Sequence, residues 1–117
     1  MTEPLAAVTC ERHGGVAVVD VRGEIDISNA EVVKHALFAE IADAEVVVLD
    51  FSALAYADSA GVQLVMTVGR RLKESERDLL VVAPADSVAA TLLQLAPIPG
   101  IAVAETRAEA LSLAVAR

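Results

Sequence analysis

Tryptophan is absent from this 117-residue chain, tyrosine occurs once and phenylalanine twice, which leaves any core to aliphatic side chains, mostly alanine, valine and leucine. With 56% of residues hydrophobic, disorder is excluded, because a disordered chain has too little apolar surface to bury. A single cysteine cannot form an internal disulfide. The opening Met1-Thr2-Glu3-Pro4-Leu5 has neither the basic region nor the long apolar stretch of a secretory signal. Both features point to a reducing cytoplasm. Positive charge is scarce as well. Nine Lys and Arg against 17 Asp and Glu leave a net charge of −8. Such a field repels phosphate backbones and anionic lipid heads, which disfavours nucleic acid and acidic membrane as partners. Mean hydropathy is +0.57, yet runs such as Val46-Val47-Val48-Leu49 and Leu79-Leu80-Val81-Val82-Ala83 fall far short of the roughly 18 residues needed to span a bilayer. Direct membrane insertion is not expected. Residues 1–117 suit one domain with a core large enough to fold without staples.

Catalytic and cofactor signatures are also missing. No GxxxxGK[ST] loop occurs, and Gly14-Gly15 is not followed by a helix, so neither phosphate-cradling fingerprint is present and no cofactor is expected. Cys10, His13 and His35 are the only soft metal ligands, and none forms a close ligand pair with another. The serine best placed for nucleophilic chemistry, Ser59, lies in Asp58-Ser59-Ala60-Gly61, which is not a GxSxG elbow.

What is present is a regular alternation of elements. Leu5–Arg12 and Val16–Arg22 read as strands joined by a tight His13-Gly14-Gly15 hairpin. Ser28-Asn29-Ala30-Glu31 has the spacing of a capping box, and Val33, Leu37 and Ile41 continue from it as a helical stripe. Glu45–Asp50 reads as a strand covered on both faces, and therefore central. A second helix is predicted from about Ser59 to Arg77, with Val62, Val65, Met66, Gly69 and Leu72 inward and Arg70, Arg71, Lys73 and Arg77 on its polar face. Glu74, Glu76 and Asp78 interleave with these cations, which marks a solvated face rather than a docking patch. Leu79–Ala83 is another buried strand, Ser87–Ala96 a third helix stopped by Pro97 and Pro99, and Ile101–Ala104 a short strand. Thr106-Arg107-Ala108-Glu109 is a second capping box opening a final helix with Leu111 and Leu113 buried. The order ββαβαβαβα implies a single-domain α/β fold, a mixed sheet of an N-terminal hairpin and mostly parallel strands packed with helices. In such sheets function gathers in loops beyond the carboxyl ends of strands, here 23–29, 51–60 and 83–86.

Two readings of the Ser59 stretch stand side by side. In the first, Asp58 or Ser59 is a helix cap, Gly61 allows close packing and Asp26 ends a strand. In the second, the Ser59 hydroxyl stands at a helix start, facing free amides and the positive end of the helix dipole, where a phosphate is tolerated. Asp58, with Asp26 from the neighbouring loop, would then surround an added charge of about −1.5 to −2, and a docked partner would be expelled.

Gly23-Glu24-Ile25-Asp26, Val47-Val48-Leu49-Asp50-Phe51-Ser52, Asp58-Ser59-Ala60-Gly61 and the closing Glu109-Ala110-Leu111 resemble, in order and over nearly the whole chain, the STAS domain family, specifically the bacterial anti-sigma factor antagonists. The resemblance implies a STAS-like fold and a non-enzymatic binding module. Its unphosphorylated form would bind an anti-sigma factor that is also an ATP-dependent serine kinase, releasing a sigma factor. Phosphorylation at Ser59 would reset the switch and a phosphatase would reverse it. ATP belongs to the kinase. Asp58 would orient the hydroxyl, Gly61 would let the partner approach the helix start, and Asp26, Ala60 and Ser59 would complete the contact surface. Asp86-Ser87-Val88-Ala89-Ala90 has no basic residue where many relatives carry arginines. Bare STAS domains also serve as adaptor subunits of lipid-transport ABC complexes, the alternative role the resemblance allows. Monomer and dimer both remain open.

Overall fold

β1 (Ala6–His13) and β2 (Val16–Ile25) form an antiparallel hairpin around Gly14 and Gly15. In the computed structural model, which describes residues 5–95, 98 and 100–116, the chain continues as α1 (Ala30–Ile41), β3 (Val46–Asp50), β4 (Leu54–Ala57), α2 (Ser59–Glu74), β5 (Asp78–Val82), α3 (Val88–Leu95), β6 (Ala102–Ala104) and α4 (Arg107–Val115). Strands run in the order β1-β2-β3-β5-β6, and every pairing after the hairpin is parallel. This is the mixed, mostly parallel sheet that the sequence predicts.

Alternation along each strand divides the apolar side chains between two faces. Ala17, Val19, Val21, Val47, Leu49, Leu79 and Val81 pack with Val33, Leu37 and Ile41 of α1, Leu64, Val65, Val68 and Leu72 of α2, and Ala89 of α3. Val16, Val18, Val46, Val48, Leu80 and Val82 meet Ala110 and Ala114 of α4 on the other face. Burial on both faces explains why β3 carries no alternation.

Several expected boundaries are revised. The region between Phe51 and Ala60 contains a strand, β4, so the order is ββαββαβαβα. Four residues are too few to show a period in sequence. β4 forms because β2 continues past Arg22 to Ile25 and offers its C-terminal half as a template, with Gly23 opposite Leu54 and Ile25 opposite Ala57. A bulge between Gly23 and Glu24 permits this, with Gly23 at a φ of 94°. β1 and β5 are each shifted by one residue and β6 starts one residue later than expected, within the usual fraying of ends.

The capping box expected at Ser28 does not form. The helix starts at Ala30 with Asn29 as its N-cap, and Glu31 pairs with Lys34 at 2.9 Å. Ser28 turns instead to Asp26, because a carboxylate two residues upstream competes for its amide and hydroxyl. α2 ends at Glu74 rather than Arg77, since Ser75 turns back on the carbonyls of Arg71 and Leu72 and Glu76 adopts a φ of 58°. Arg77 leaves the polar face and donates to the carbonyls of Ile41 at 2.8 Å and Ala44 at 3.2 Å. Arg70, Arg71 and Lys73 remain on that face, with Arg71 4.6 Å above the Phe38 ring. Ser87 caps α3 from outside, accepting from the Ala90 amide at 3.1 Å. The expected helix end at Ala96 and the stops at Pro97 and Pro99 lie outside the described residues. The second capping box forms in one half: Thr106 accepts from the Glu109 amide at 3.1 Å, whereas the Glu109 carboxylate accepts from the Glu105 amide, one residue before the cap, at 3.2 Å. Ala110 and Ala114, not Leu111 and Leu113, line the buried side of α4; Leu111 is half-buried and Leu113 exposed. No described helix is long and apolar enough to cross a membrane.

Asp50, 4% exposed at the end of β3, is the one buried charged residue among those described. Its Oδ2 accepts from Arg107 Nε at 2.8 Å, and its Oδ1 accepts from the Ser52 amide at 2.9 Å and hydroxyl at 2.6 Å. Burial pushes its pKa up, but the Ser52 bonds and Arg107 outweigh burial and leave it below the usual carboxylate range. A depressed folded-state pKa contributes stability that is complete above the unfolded value, about 4, and is lost as pH falls through the folded value. In urea melts from pH 6 downward, Asp50→Asn is expected to flatten the acid loss of stability seen in wild type; an unchanged slope would remove Asp50 as its source.

Candidate functional site

β2 and β4 end side by side, so the residues just beyond them emerge together, about 4.8 Å apart as neighbouring strands are. Ile25 lies opposite Ala57, and the Asp58 amide donates to the Ile25 carbonyl at 3.3 Å. Asp26 and Asp58 are therefore brought to one edge of the sheet, at its carboxyl end. Asp58, in extended backbone, is the N-cap of α2, and its Oδ1 accepts from the Ala60 amide at 2.8 Å. Ser59 is the first helical residue and is exposed, and its side chain makes no hydrogen bond to any described residue.

The free amides expected in front of Ser59 are largely taken. Besides the Ala60 amide, those of Gly61 and Val62 donate to the Asp58 carbonyl at 3.0 and 3.3 Å. The end of the helix already has its anion in Asp58, so a second one placed on Ser59 would not be absorbed by the first turn.

Asp26 is held in its own turn. Its carboxylate accepts from the Ser28 hydroxyl and, at 2.8 Å, from the Ser28 amide, and these bonds lower its pKa from the ordinary value against the opposing effect of desolvation. Asn29, which carries no site role in the sequence pattern, pins this loop: its Oδ1 accepts from the Asp26 amide at 2.9 Å and its Nδ2 donates to the Glu24 carbonyl at 2.8 Å. An Asn directly after an Asp-x-Ser turn and before an apolar stripe is the sequence signal for such a pin.

Gly61 is buried rather than presented to a partner. A Cβ there would come within 2.8 Å of the Ala57 Cβ and 3.7 Å of Ile25, so its missing side chain lets α2 start directly on β4. Gly61→Ala gains helix propensity of up to about 1 kcal/mol but must displace that contact, at about 1–3 kcal/mol. A net loss of about 1 kcal/mol in urea unfolding is expected, and a gain would show that β4 and α2 are less tightly seated.

Ala60 is half-buried and shares a groove between α1 and α2 with Ile27, Lys34 and Gln63. Ile27 is 87% exposed, an apolar side chain beside the two aspartates that periodicity alone does not single out. A second groove, headed by Asp58 and Ser59, runs between α2 and α3 past Met66 and Leu95. The small, partly open hollow between Phe51, Val65 and Leu93 is apolar and is a packing gap beside α3. His13 stands at the hairpin, the opposite end of β2 from Asp26, and His35 is exposed on α1. Cys10 is half-buried in β1, where burial and then Glu40 raise its thiol pKa.

Residues 7–110 match the model of the STAS domain. Over 69 residues the chain is 32% identical to the anti-sigma-F factor antagonist RsfB of Mycobacterium tuberculosis, a stretch that spans 58% of this chain and a little over half, 57%, of that relative. A crystal structure of an anti-sigma factor antagonist from Mycobacterium paratuberculosis superposes with a TM-score of 0.72 at 29% identity, covering 97% of each chain. The Bacillus cell fate determinant SpoIIAA in its phosphorylated form, 21% identical, shares the fold with a TM-score of 0.68 over 92% of this chain and 99% of that one.

Proposed function

The chain belongs to the STAS domain family, and from that premise we propose that it is an anti-sigma factor antagonist, a cytoplasmic binding module rather than a catalyst, toggled by a phosphate on Ser59. Unphosphorylated, it engages an anti-sigma factor that is also an ATP-dependent serine kinase and so frees a sigma factor. Phosphorylation by that partner at Ser59 ends the association, and a phosphatase restores it. The contact surface is formed by Asp26, Asp58, Ser59 and Ala60, with Gly61 beneath them fixing the start of α2.

The observation that carries this reading is the exposed Ser59 side chain, without a partner among the described residues, at the first position of α2. A hydroxyl tied into the fold would resist an approaching kinase; this one is free to be aligned by it. Asp58 beside it and Asp26 from the adjoining strand end make the acidic setting in which an added dianion changes the surface most. The names of the mycobacterial relatives support the same role.

The test is phosphotransfer from ATP by the cognate anti-sigma kinase. Wild type is expected to incorporate label, and Ser59→Ala, whose fold is checked by its urea midpoint, to incorporate none. Equal labelling of the two would overturn the site.

A further inference from the structure

We infer that Arg107, on the first turn of α4, is a positioning residue for the Ser59 turn, acting through Asp50 and Ser52; this rests on the reading of Ser59 given above. The Asp50 carboxylate is shared between two parts of the molecule. One oxygen holds Arg107 and the other holds both the amide and the hydroxyl of Ser52, the second residue of the link between β3 and β4. The same guanidinium faces Glu11 of β1 at 3.5 Å and Asp20 of β2 at 3.9 Å, so α4 is pinned across three strands by one side chain.

Ser52 and Ala53 lie between two buried anchors, Phe51 and Leu54. Phe51 is buried and its amide donates to the Val82 carbonyl, but Ser52 and Ala53 are exposed. Ala53 is fixed by the Gly23 amide at 3.2 Å, and the Leu54 amide returns to the Phe51 carbonyl at 3.0 Å. β4 then pairs with β2 alone, and its last residue leads directly to Asp58 and Ser59. Without Arg107, the buried, ionised Asp50 carboxylate would have no cation against it, with the Asp20 and Glu11 carboxylates left on the side Arg107 had occupied. Such a group either takes up a proton or turns toward water. Both outcomes weaken its hold on Ser52, so the slack passes along β4 to the start of α2.

The test is amide hydrogen exchange of the full chain, with kinase assays on the same variants. Arg107→Met is expected to speed exchange across 53–60 by about tenfold or more while amides of α1 keep their wild-type rates, the pattern of a local opening. Its phosphorylation by the kinase should show a lower kcat/KM than wild type. Arg107→Lys should recover part of both effects. Because Arg107→Met leaves a buried charge and can fail to fold, the paired variant Arg107→Met with Asp50→Asn is the second measurement. It removes the charge that would draw the side chain toward water and leaves a neutral oxygen for Ser52, and should return exchange at 53–60 part of the way to wild type. Exchange in Arg107→Met that rises only within α4, or uniformly over the molecule, overturns the inference. Label on Ser59→Ala would overturn the reading of Ser59 but would not alter the exchange result, so the two failures are distinguishable.

Discussion

Gly23→Ala is expected to lose about 3 kcal/mol of unfolding free energy, read as a urea midpoint lower by about 1–2 M with an unchanged slope. The backbone at Gly23 has a φ of 94°, a region that costs a residue with a side chain about 1–3 kcal/mol. A Cβ there would also collide with the backbone carbonyl of Leu5, which accepts from the Glu24 amide at 2.9 Å. Relieving the collision moves the start of β1 and breaks that bond, worth about 1 kcal/mol net. Since Gly23 carries the bulge that lets β2 reach β4, the damage falls on the strand end that presents Asp26. A wild-type midpoint for Gly23→Ala would mean that this backbone is not held in the left-handed region.

Phosphate on Ser59 is expected to weaken binding of the anti-sigma kinase by about a hundredfold or more at low salt, and by much less at about 0.5 M salt. Juxtaposed like charges at an interface cost several kcal/mol, and about 1.4 kcal/mol corresponds to a factor of ten. The added charge of about −1.5 to −2 meets no local neutralisation, because Asp58 already occupies the Ala60 amide and Asp26 is held ionised by Ser28. Screening shortens to about 3 Å at 1 M salt, so the effect should shrink as salt rises. Ser59→Asp, with one charge and two acceptor oxygens, should reproduce only part of it. Titration of the phosphorylated and unphosphorylated proteins by calorimetry at two salt concentrations checks this. Equal affinities would sink the account based on charge, and a salt-independent loss would assign it to shape instead.

The elements most visible in the sequence are those with a strong period or a continuous apolar run. The helical spacing of Val33, Leu37 and Ile41 and the run from Val46 to Leu49 correspond to α1 and β3 in the structure. β4 is hidden because its existence depends on a bulge at Gly23, far upstream, rather than on its own pattern. Ser28 departs from its capping box because local spacing does not show which acceptor wins, and Asp26 takes both its amide and its hydroxyl. Leu113 is exposed against expectation because α4 turns its alanines, not its largest side chains, to the sheet. Within the candidate site, Asp58, Ser59 and Gly61 can be placed from the helix start they mark. Asn29 and Ile27 cannot be ranked without the loop geometry, and the pairing of Asp50 with Arg107 joins residues 57 positions apart, beyond any local reading.

α2 has the Asp58 carboxylate as its N-cap and Arg70, Arg71 and Lys73 near its last residue. Sixteen residues at about 1.5 Å each set these ends about 24 Å apart. Glu74, the last residue, offsets one of these cations, and the remaining charge lies in the sense that complements the helix's own dipole. Each end of the rod therefore contributes to holding the helix within its own turn.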